Sequence, residues 1–379
     1  MAPPPDHTAP SGRRQAPPVD ELVATGRAAG LAALGVAPAE PFERTRGDLE
    51  ERKAAGLHGG MQFTYRNPAR STEPSRILDG AMALVVGAYG YRREAPEADS
   101  DAARPVARVA RYAWEDHYAR LRDGLDAVAD VLRAGGWRAV VVADSNALVD
   151  REAAVRAGIG WYGKSSNVLL PGAGSWFVLG SVVTDAPLAP AAEPVEDGCG
   201  GCRRCLDGCP TGAIVAPGVV DARRCLAWLV QADGPFPVEW REALGDRIYG
   251  CDDCQEVCPP NRRRRGEPAA ASPPDAEAEV DLLELLAASD DDLLARHGRW
   301  YIPRREPRYL RRNALVALAN TATGDHPDVA ATLTGCLRDD DPLVRAHAVW
   351  AARRLGREDL LAMMAPEDDP DVCEELARR

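Results

Sequence analysis

The sequence lacks any long hydrophobic run. No stretch of eighteen or more apolar residues occurs among its 379 residues, whereas a transmembrane helix needs about 20. The opening residues 1–18 are rich in proline and polar side chains and lack the apolar core of a secretory signal. We therefore expect a cytoplasmic protein that does not enter a membrane. Residues 1–20 are predicted to form a disordered leader.

An excess of positive charge is also missing. The formal net charge is −12, which excludes a broadly basic coat for nucleic acid but leaves room for a local basic face. Cysteine, by contrast, is plentiful, with ten residues in the chain. Without a secretory signal, these cysteines are better explained as metal ligands or redox thiols than as a disulfide framework.

The order of segments predicts an α+β protein with several domains. Helical and strand-like stretches alternate between residues 21 and 190, which indicates an α/β or α+β domain. A cysteine-rich module follows over 191–265, then a linker over 266–280 rich in Pro, Ala and Glu. The predicted elements of the first domain are helices over 21–35 and 117–136 and strands over 81–91, 137–146 and 175–184. The first of these helices is expected to end at Gly35.

Residues 281–379 are predicted to be entirely helical. Two amphipathic segments, at 313–322 and 343–356, lie about thirty residues apart, and an Asp/Pro turn at 339–342 precedes the second. Pairs of helices at this spacing are typical of HEAT-type repeats.

Eight of the ten cysteines fall within one segment of about 60 residues. They form a C-x2-C-x2-C-x3-C-P motif, a single cysteine sixteen residues later, and a C-x2-C-x3-C-P motif: Cys199, Cys202, Cys205 and Cys209, then Cys225, then Cys251, Cys254 and Cys258. The first motif is typical of ferredoxins with two 4Fe–4S clusters, in which the fourth cysteine binds the other cluster.

This crossing predicts two sets of four ligands. The first quartet is Cys199, Cys202, Cys205 and Cys258, and the second quartet is Cys209, Cys225, Cys251 and Cys254. A pair of zinc sites is the alternative, because C-x2-C pairs also occur in zinc ribbons. Zinc, however, explains neither the crossed cysteine nor the two Cys-Pro dipeptides. Cys336 and Cys373 are expected to be incidental thiols.

Two neighbouring clusters conduct electrons, so an acceptor is expected in the first domain. Asp144 follows a predicted strand, where sites of α/β domains usually form. Glycines at 158, 160 and 163 precede Lys164 and would let backbone approach a flat or anionic ligand. The alternative is that Asp144 caps a helix over 147–157 and that the glycines make a C-cap and turn.

The chain resembles the epoxyqueuosine reductase family. The resemblance lies in V-x-A-D-S around Asp144, A-G-I-G-W-Y-G-K (157–164), G-S-W-F-V-L-G (174–180), the cysteine motif with T-G-A-I (199–214), R-C-L-A-W-L (224–229) and Y-G-C-D-D-C-Q-E-V-C-P (249–259). R-x-x-x-P-S-R-I-L-D-G-A and R-R-N-A-L-V-A-L-A-N (311–320) are also similar, and the match runs from about residue 21 to 379. One departure is WEDHYARL, in which Asp116, His117 and Tyr118 differ in order from the family's D-Y-H.

The resemblance implies a function. Cobalamin bound by the first domain would receive electrons from the two 4Fe–4S clusters and reduce epoxyqueuosine at the tRNA wobble position. Asp144 would act as general acid on the epoxide oxygen. The implied cofactor contacts are Arg70, Asp144, Gly160, Gly163, Lys164 and Ser166, and Arg151 would lie near the modified base. The expected partners are tRNA carrying epoxyqueuosine and an electron donor such as a flavodoxin or ferredoxin, and the protein is expected to be a monomer.

Two arginine-rich runs offer a local basic face for tRNA. One is RRRRG (262–266), and the other is the segment 299–313, in which arginines alternate with aromatic residues. Such mixtures suit phosphates and exposed bases, although a solvated helix face is the alternative. The predicted tRNA contacts in the second run are Arg304, Arg305, Arg308, Arg311 and Arg312.

Two other functions agree with part of the sequence. A reductive-dehalogenase-like enzyme would also combine cobalamin with iron–sulfur clusters. Such proteins are typically exported through a twin-arginine signal, and the arginines at 13–14 lack the apolar stretch that should follow. A non-catalytic ferredoxin fused to a helical scaffold would need neither a corrin site nor Asp144.

Overall fold

The computed structural model describes residues 15–63, 65–94, 104–190, 193–262, 271–273 and 275–378. Most of the predicted leader, arginines 263–265 and part of the predicted linker lie outside these ranges. Within the leader's predicted span, Val19 already begins the first helix. No helix in the described ranges is long and apolar enough to cross a membrane.

The first domain combines antiparallel strands with helices on both faces. Its strands are β1 (Ala33–Pro38), β2 (Ala83–Gly90), β3 (Val106–Val109), β4 (Ala139–Ala143), β5 (Trp161–Tyr162), β6 (Val168–Leu169) and β7 (Phe177–Thr184). Its helices are α1 (Val19–Ala28), α2 (Glu43–Ala54), α3 (Pro68–Ser71), α4 (His117–Ala134) and α5 (Asp150–Arg156).

The main sheet has the strand order β1-β2-β7-β4, and every neighbouring pair is antiparallel. Its central strand β2 is apolar along most of its length because both faces are covered. Val85 packs with the core under α1 and α4, whereas Leu84 and Val86 pack with the core under α5. The predicted strands at 81–91, 137–146 and 175–184 and the helix at 117–136 are confirmed.

The helix predicted over 21–35 is wrong in its second half. α1 ends at Ala28, and Gly35 lies in β1. A side chain at Gly35 would collide with the main-chain oxygen of Ala157 at the end of α5. This glycine therefore permits a close approach between a strand and a helix and does not cap a helix.

The cysteine-rich module is built from very short elements, as its Gly, Pro and Cys content predicts. Its helices are α6 (Arg204–Asp207), α7 (Leu226–Leu229), α8 (Val238–Leu244), α9 (Asp253–Glu256) and α10 (Pro259–Arg262), and its strands are β8 (Ile214–Ala216), β9 (Val219–Val220) and β10 (Arg247–Tyr249). Each cysteine-bearing segment is therefore held in place by its contacts with the neighbouring domains more than by regular structure of its own.

The C-terminal part begins with one strand and continues as helices. Its elements are β11 (Glu279–Asp281), α11 (Leu282–Ala287), α12 (Asp290–His297), α13 (Arg308–Thr321), α14 (Pro327–Cys336), α15 (Pro342–Arg354), α16 (Glu358–Leu361) and α17 (Pro370–Ala377). Helix α13 packs against α15, which packs in turn against α17, in agreement with stacked helical repeats.

A second, three-stranded sheet joins the three parts of the chain. β3 of the first domain lies at its centre, parallel to β10 of the cysteine-rich module and antiparallel to β11. The last two residues of the segment predicted as a linker, 279 and 280, therefore belong to strand β11. A buried ion pair adds a further connection, because Arg241 on α8 and Glu375 on α17 lie 3.0 Å apart with almost no exposure. These joints fix the cysteines relative to the first domain.

Candidate functional site

The eight clustered cysteines lie close enough in the fold to influence one another's pKa. Burial raises the pKa of Cys258 to about 11, with further increases from the thiolates of Cys199, Cys205 and Cys202. This mutual influence places Cys258 beside the first motif, 49 positions or more earlier in the chain. These influences are compatible with the first quartet, which stays a prediction.

The cysteines of the predicted second quartet influence one another as well, and Cys205 of the first set adds to the effect on Cys254. Burial raises the pKa of Cys254, and the charges of Cys225 and Cys209 are among the causes that raise it further. The pKa of Cys251 is likewise raised by burial, with a smaller increase from Cys254. The predicted exchange of ligands between the two sequence motifs thus agrees with the fold.

Polar groups of the first domain hold the cysteine loops. Lys164 Nζ donates hydrogen bonds to the main-chain oxygens of Gly200 (2.5 Å) and Cys202 (2.9 Å). Asn167 Nδ2 approaches the sulfur of Cys254 at 3.8 Å. The glycine-rich stretch before the cysteines therefore contacts both quartets, and Lys164 is a support of the first one.

A large cavity lies between the first domain and the cysteine-rich module. Its volume is about 1570 Å³, above the roughly 300–1,000 Å³ that is typical of small-molecule sites. All four cysteines of the second quartet line it, together with Asp144 and Arg151, whereas no cysteine of the first quartet does. The cluster of the second quartet would therefore face the cavity directly, with the other cluster behind it.

Asp144 lies at the end of β4 and opens into this cavity. Its backbone has φ +52°, a sparsely populated conformation for a residue other than glycine, of the kind that concentrates at functional sites. Burial raises the pKa of its carboxyl, Arg122 lowers it, and Asp116 raises it. Helix α5 begins at Asp150 after the cap residue Val149, so the alternative that Asp144 caps this helix is wrong.

A second carboxyl group in the cavity was not predicted. Asp150 lines the cavity, and its Oδ1 atom is buried without a hydrogen-bond partner among the described residues. Burial raises the pKa of Asp150 well above its usual value, the charge of Asp144 raises it further, and Arg151 lowers it. In sequence, an aspartate at this position is typical of any first helical turn.

The motif that departs from the family pattern also contributes to the cavity. Asp116 and Tyr118 line it, while His117 is buried and its Nε2 lies 3.1 Å from the main-chain oxygen of Arg111. Burial raises the pKa of Tyr118, and the charges of Asp144 and Asp150 raise it further. Tyr118 thus keeps its hydroxyl proton at neutral pH.

The predicted cofactor contacts fall into two groups. Ser166 lines the cavity with φ +64°, and its hydroxyl donates to the main-chain oxygen of Gly218 at 2.8 Å. Arg70, exposed on α3, and Lys164 are not among the lining residues of the cavity. Gly160 and Gly163 are not lining residues either, because both are packed against Leu169 on the neighbouring strand.

The arginines predicted to contact tRNA are mostly engaged within the protein. Arg151 lines the cavity and donates to the main-chain oxygen of Ser166 at 3.2 Å. The other five are bound to acidic side chains or carbonyl oxygens: Arg304 to Asp233 and Glu306, Arg305 to Gly298, Arg308 to Glu306 and Asp341, Arg311 to Asp290 and Ala288, and Arg312 to main-chain oxygens of α7 and the loop after it.

Arg312 contradicts its predicted role. Its side chain is completely buried, and its guanidinium donates to the main-chain oxygens of Leu229, Val230, Ala232 and Gly234. A group without exposure cannot contact tRNA. The sequence pattern failed here because an arginine on an amphipathic helix predicts surface exposure.

Comparison with known proteins agrees with this architecture. Residues 198–261 match the family model of the 4Fe–4S double cluster binding domain, and residues 301–379 match that of HEAT repeats. The epoxyqueuosine reductase of Bacillus cereus is 33% identical over 94% of this chain and 95% of its own length.

Solved structures extend the similarity to the whole fold. One is an epoxyqueuosine reductase with an epoxyqueuosine-modified stem loop of tyrosine tRNA. It is 30% identical to this chain and superposes with a TM-score of 0.84, and the match covers 94% of this chain and 96% of that one. A second is the epoxyqueuosine reductase of Bacillus subtilis, in which the catalytic loop that carries an aspartate is swung out of the active site. It is 30% identical to this chain and has a TM-score of 0.83, and the match covers 94% of this chain and 97% of that one.

Proposed function

Because this chain belongs to the epoxyqueuosine reductase family, we propose that it reduces epoxyqueuosine to queuosine in tRNA, with two 4Fe–4S clusters as its electron path. One observation carries this proposal: the second quartet and Asp144 line the same cavity. Electrons and protons can thus be delivered to a single enclosed point.

The reaction needs two electrons and two protons. The epoxide loses both of its C–O bonds, its oxygen leaves as water, and a carbon–carbon double bond forms. Iron–sulfur clusters deliver electrons one at a time, so the site must collect two of them for each epoxide. The departing oxygen also needs two protons to leave as water. The second quartet would supply the electrons and Asp144 the proton, and both line the same cavity.

Asp144 is proposed as the proton donor. An opening epoxide develops negative charge on its oxygen, and a positioned acid lowers that barrier. Partial desolvation in the cavity raises the pKa of Asp144, although the residue keeps an exposed surface. Its carboxyl therefore stays protonated to a higher pH than that of an aspartate in open water. The Bacillus subtilis relative has a catalytic loop that carries an aspartate, which supports this role for an aspartate on the loop after β4.

Cobalamin is the cofactor proposed for the same cavity. The volume of about 1570 Å³ suits a large cofactor together with a nucleoside, and the cavity runs from the second quartet to Asp144. Leu148, Val149, Ser166, Asn167 and Leu226 are the residues that would hold it. When bound, cobalamin supplies a cobalt centre that accepts single electrons and attacks or reduces carbon.

We further propose that the protein works as a monomer in the cytoplasm, where a reduced flavodoxin or ferredoxin supplies the electrons. The first quartet lies behind the second, away from the cavity. An external donor would therefore reach the first cluster without entering the tRNA site.

The test is a nucleoside analysis of tRNA after reaction. Anaerobically reconstituted protein, cobalamin and a chemical reductant are incubated with tRNA that carries epoxyqueuosine. We expect queuosine to form only when cobalamin is present. Protein with both clusters and cobalamin that leaves epoxyqueuosine unchanged would contradict the proposal.

Asp144→Asn is the matched variant for the proton donor. Asparagine has nearly the same shape, accepts the same position after β4 and tolerates positive φ, but it has no acidic proton to give. We expect full iron and cobalamin content with a 10²- to 10⁴-fold slower turnover, about the usual contribution of a general acid. Turnover equal to that of the unchanged protein would remove Asp144 from the mechanism.

A further inference from the structure

Three exposed aromatic residues converge on the mouth of the cavity. Among the large hydrophobic side chains that the structure describes as exposed, the aromatic ones are Phe63 (47% exposed), Tyr162 (40%) and Tyr301 (57%). All three line the cavity, although they come from the loop after α2, from β5 and from the loop before α13. Exposed aromatic rings are costly in water, so their convergence indicates a ligand with flat apolar faces.

Two arginines that have no hydrogen-bond or ion-pair partner among the described residues line the same cavity. Arg44 and Arg52 lie on α2 and line the cavity. In the described ranges, neither side chain makes a hydrogen bond or an ion pair, in contrast to Arg304, Arg308 and Arg311. Eight residues of helix separate the two, which is about 12 Å along the axis.

The exposed character of α2 fits a role in binding. Leu49 is the one buried residue of this helix, so α2 contributes little to the core of the first domain. Asp48 also lines the cavity, between the two arginines in sequence. The arginines therefore act as two separate cationic points and not as a continuous basic patch.

We propose that Arg44, Arg52, Phe63, Tyr162 and Tyr301 form an RNA-binding rim, which contacts the nucleotides on either side of the modified one. The inference rests on the proposed function, because a nucleoside that enters the cavity draws its neighbours across this mouth. Aromatic rings stack on the unpaired bases of RNA loops, and arginine binds their phosphates. The rim would therefore contact tRNA, the role that the sequence analysis predicted for the arginines between positions 304 and 312.

The test measures binding of an unmodified anticodon stem-loop RNA to the cluster-loaded protein, by fluorescence anisotropy at several salt concentrations. We expect Phe63→Ala and Tyr301→Ala each to weaken binding about 5- to 100-fold, the range for loss of one stacked base. The salt dependence of binding should stay the same, because no phosphate contact is lost. Arg52→Gln should reduce the slope of log K against log salt by about 0.7.

Matched control variants remove similar groups elsewhere. Met363→Ala deletes an apolar side chain that is 65% exposed and lies away from the cavity, and Arg27→Gln deletes an exposed arginine on α1. We expect both to bind the stem loop as the unchanged protein does. Rim variants that bind as tightly as these controls would overturn the proposal.

The same variants separate this inference from the proposed function. Protein that converts epoxyqueuosine while the rim variants bind and turn over normally would refute the rim alone. Protein that binds the stem loop through the rim but leaves epoxyqueuosine intact would support the rim and contradict the reductase activity.

Discussion

Replacing Arg312 by methionine tests whether this arginine stabilises the fold or contacts tRNA. Methionine is also long and unbranched, but it donates no hydrogen bond. The guanidinium of Arg312 bonds to Ala232 and Gly234 oxygens at 2.7 and 2.6 Å and to the oxygens of Leu229 and Val230 at 3.1 and 3.4 Å. These oxygens belong to α7 and the loop that follows, directly after Cys225 of the second quartet.

The magnitude follows from these contacts. A hydrogen bond to a charged group contributes about 1.5–3 kcal/mol, and each buried oxygen left without a partner costs about 1–3 kcal/mol. The four contacts share one guanidinium and are therefore not additive. We expect Arg312→Met to lower the free energy of unfolding by about 2–4 kcal/mol, because buried carbonyl oxygens lose their hydrogen-bond partner.

Urea unfolding of the cluster-loaded protein, followed by tryptophan fluorescence, measures this loss. Arg308→Met is the control, because the side chain of Arg308 is 36% exposed and an exposed ion pair contributes about 0–1 kcal/mol. Stem-loop binding by Arg312→Met should be unchanged under conditions in which the variant is folded. A variant with unchanged stability but weaker RNA binding would refute the structural role and restore the contact predicted from sequence.

Three further variants test other parts of the account. Arg122→Gln removes a cation that lowers the pKa of Asp144, so the high-pH limit of turnover, where the acid loses its proton, should move to higher pH. Lys164→Met removes two hydrogen bonds to the loop of the first quartet, so iron content should fall from about eight toward four per chain in the presence of a chelator. Gly160→Ala would collide with the main-chain oxygen of Leu169 and should destabilise the protein by about 1–3 kcal/mol in urea.

Each of these variants has a control or a contradicting result. A pH limit that stays in place or moves to lower pH would contradict the assignment of Asp144 as the acid. Lys53→Met removes an exposed lysine on α2 and should leave the iron content intact. Gly47→Ala adds a methyl group with no atom within 4 Å and should not destabilise the protein.

The cysteine pattern predicted more of the site than any other part of the sequence. The spacing within each motif, and the crossed cysteine before each proline, predicted a domain with two 4Fe–4S clusters, which the family match over residues 198–261 confirms. Short-range patterns also placed β2, β4 and β7, because each is a run of mostly apolar residues. β2 and β7 are largely buried, whereas β4 lies at the edge of the sheet and is only partly buried. Asp144 was found because it follows one of these strands.

Sequence failed where a residue's environment depends on distant parts of the chain. Lys164 appeared to belong to a cofactor loop, yet its partners lie 36 and 38 residues later, at Gly200 and Cys202. Gly35 packs closely against the end of helix α5, and Gly160 packs closely against strand β6. In sequence, these two glycines are indistinguishable from a helix cap and from part of a ligand-binding loop. Asp150 carries no sequence signal, since it becomes distinctive only through burial beside Asp144.

The most direct test of the central claim is the reaction of cobalamin-loaded Cys254→Ala protein with epoxyqueuosine stem-loop RNA, with reduced flavodoxin as the sole source of electrons. Cys254 belongs to the quartet that faces the cavity. The account predicts that the variant keeps about four irons and binds the RNA but forms no queuosine. Queuosine formed at the rate of the unchanged protein would show that electrons do not reach the cavity through this cluster.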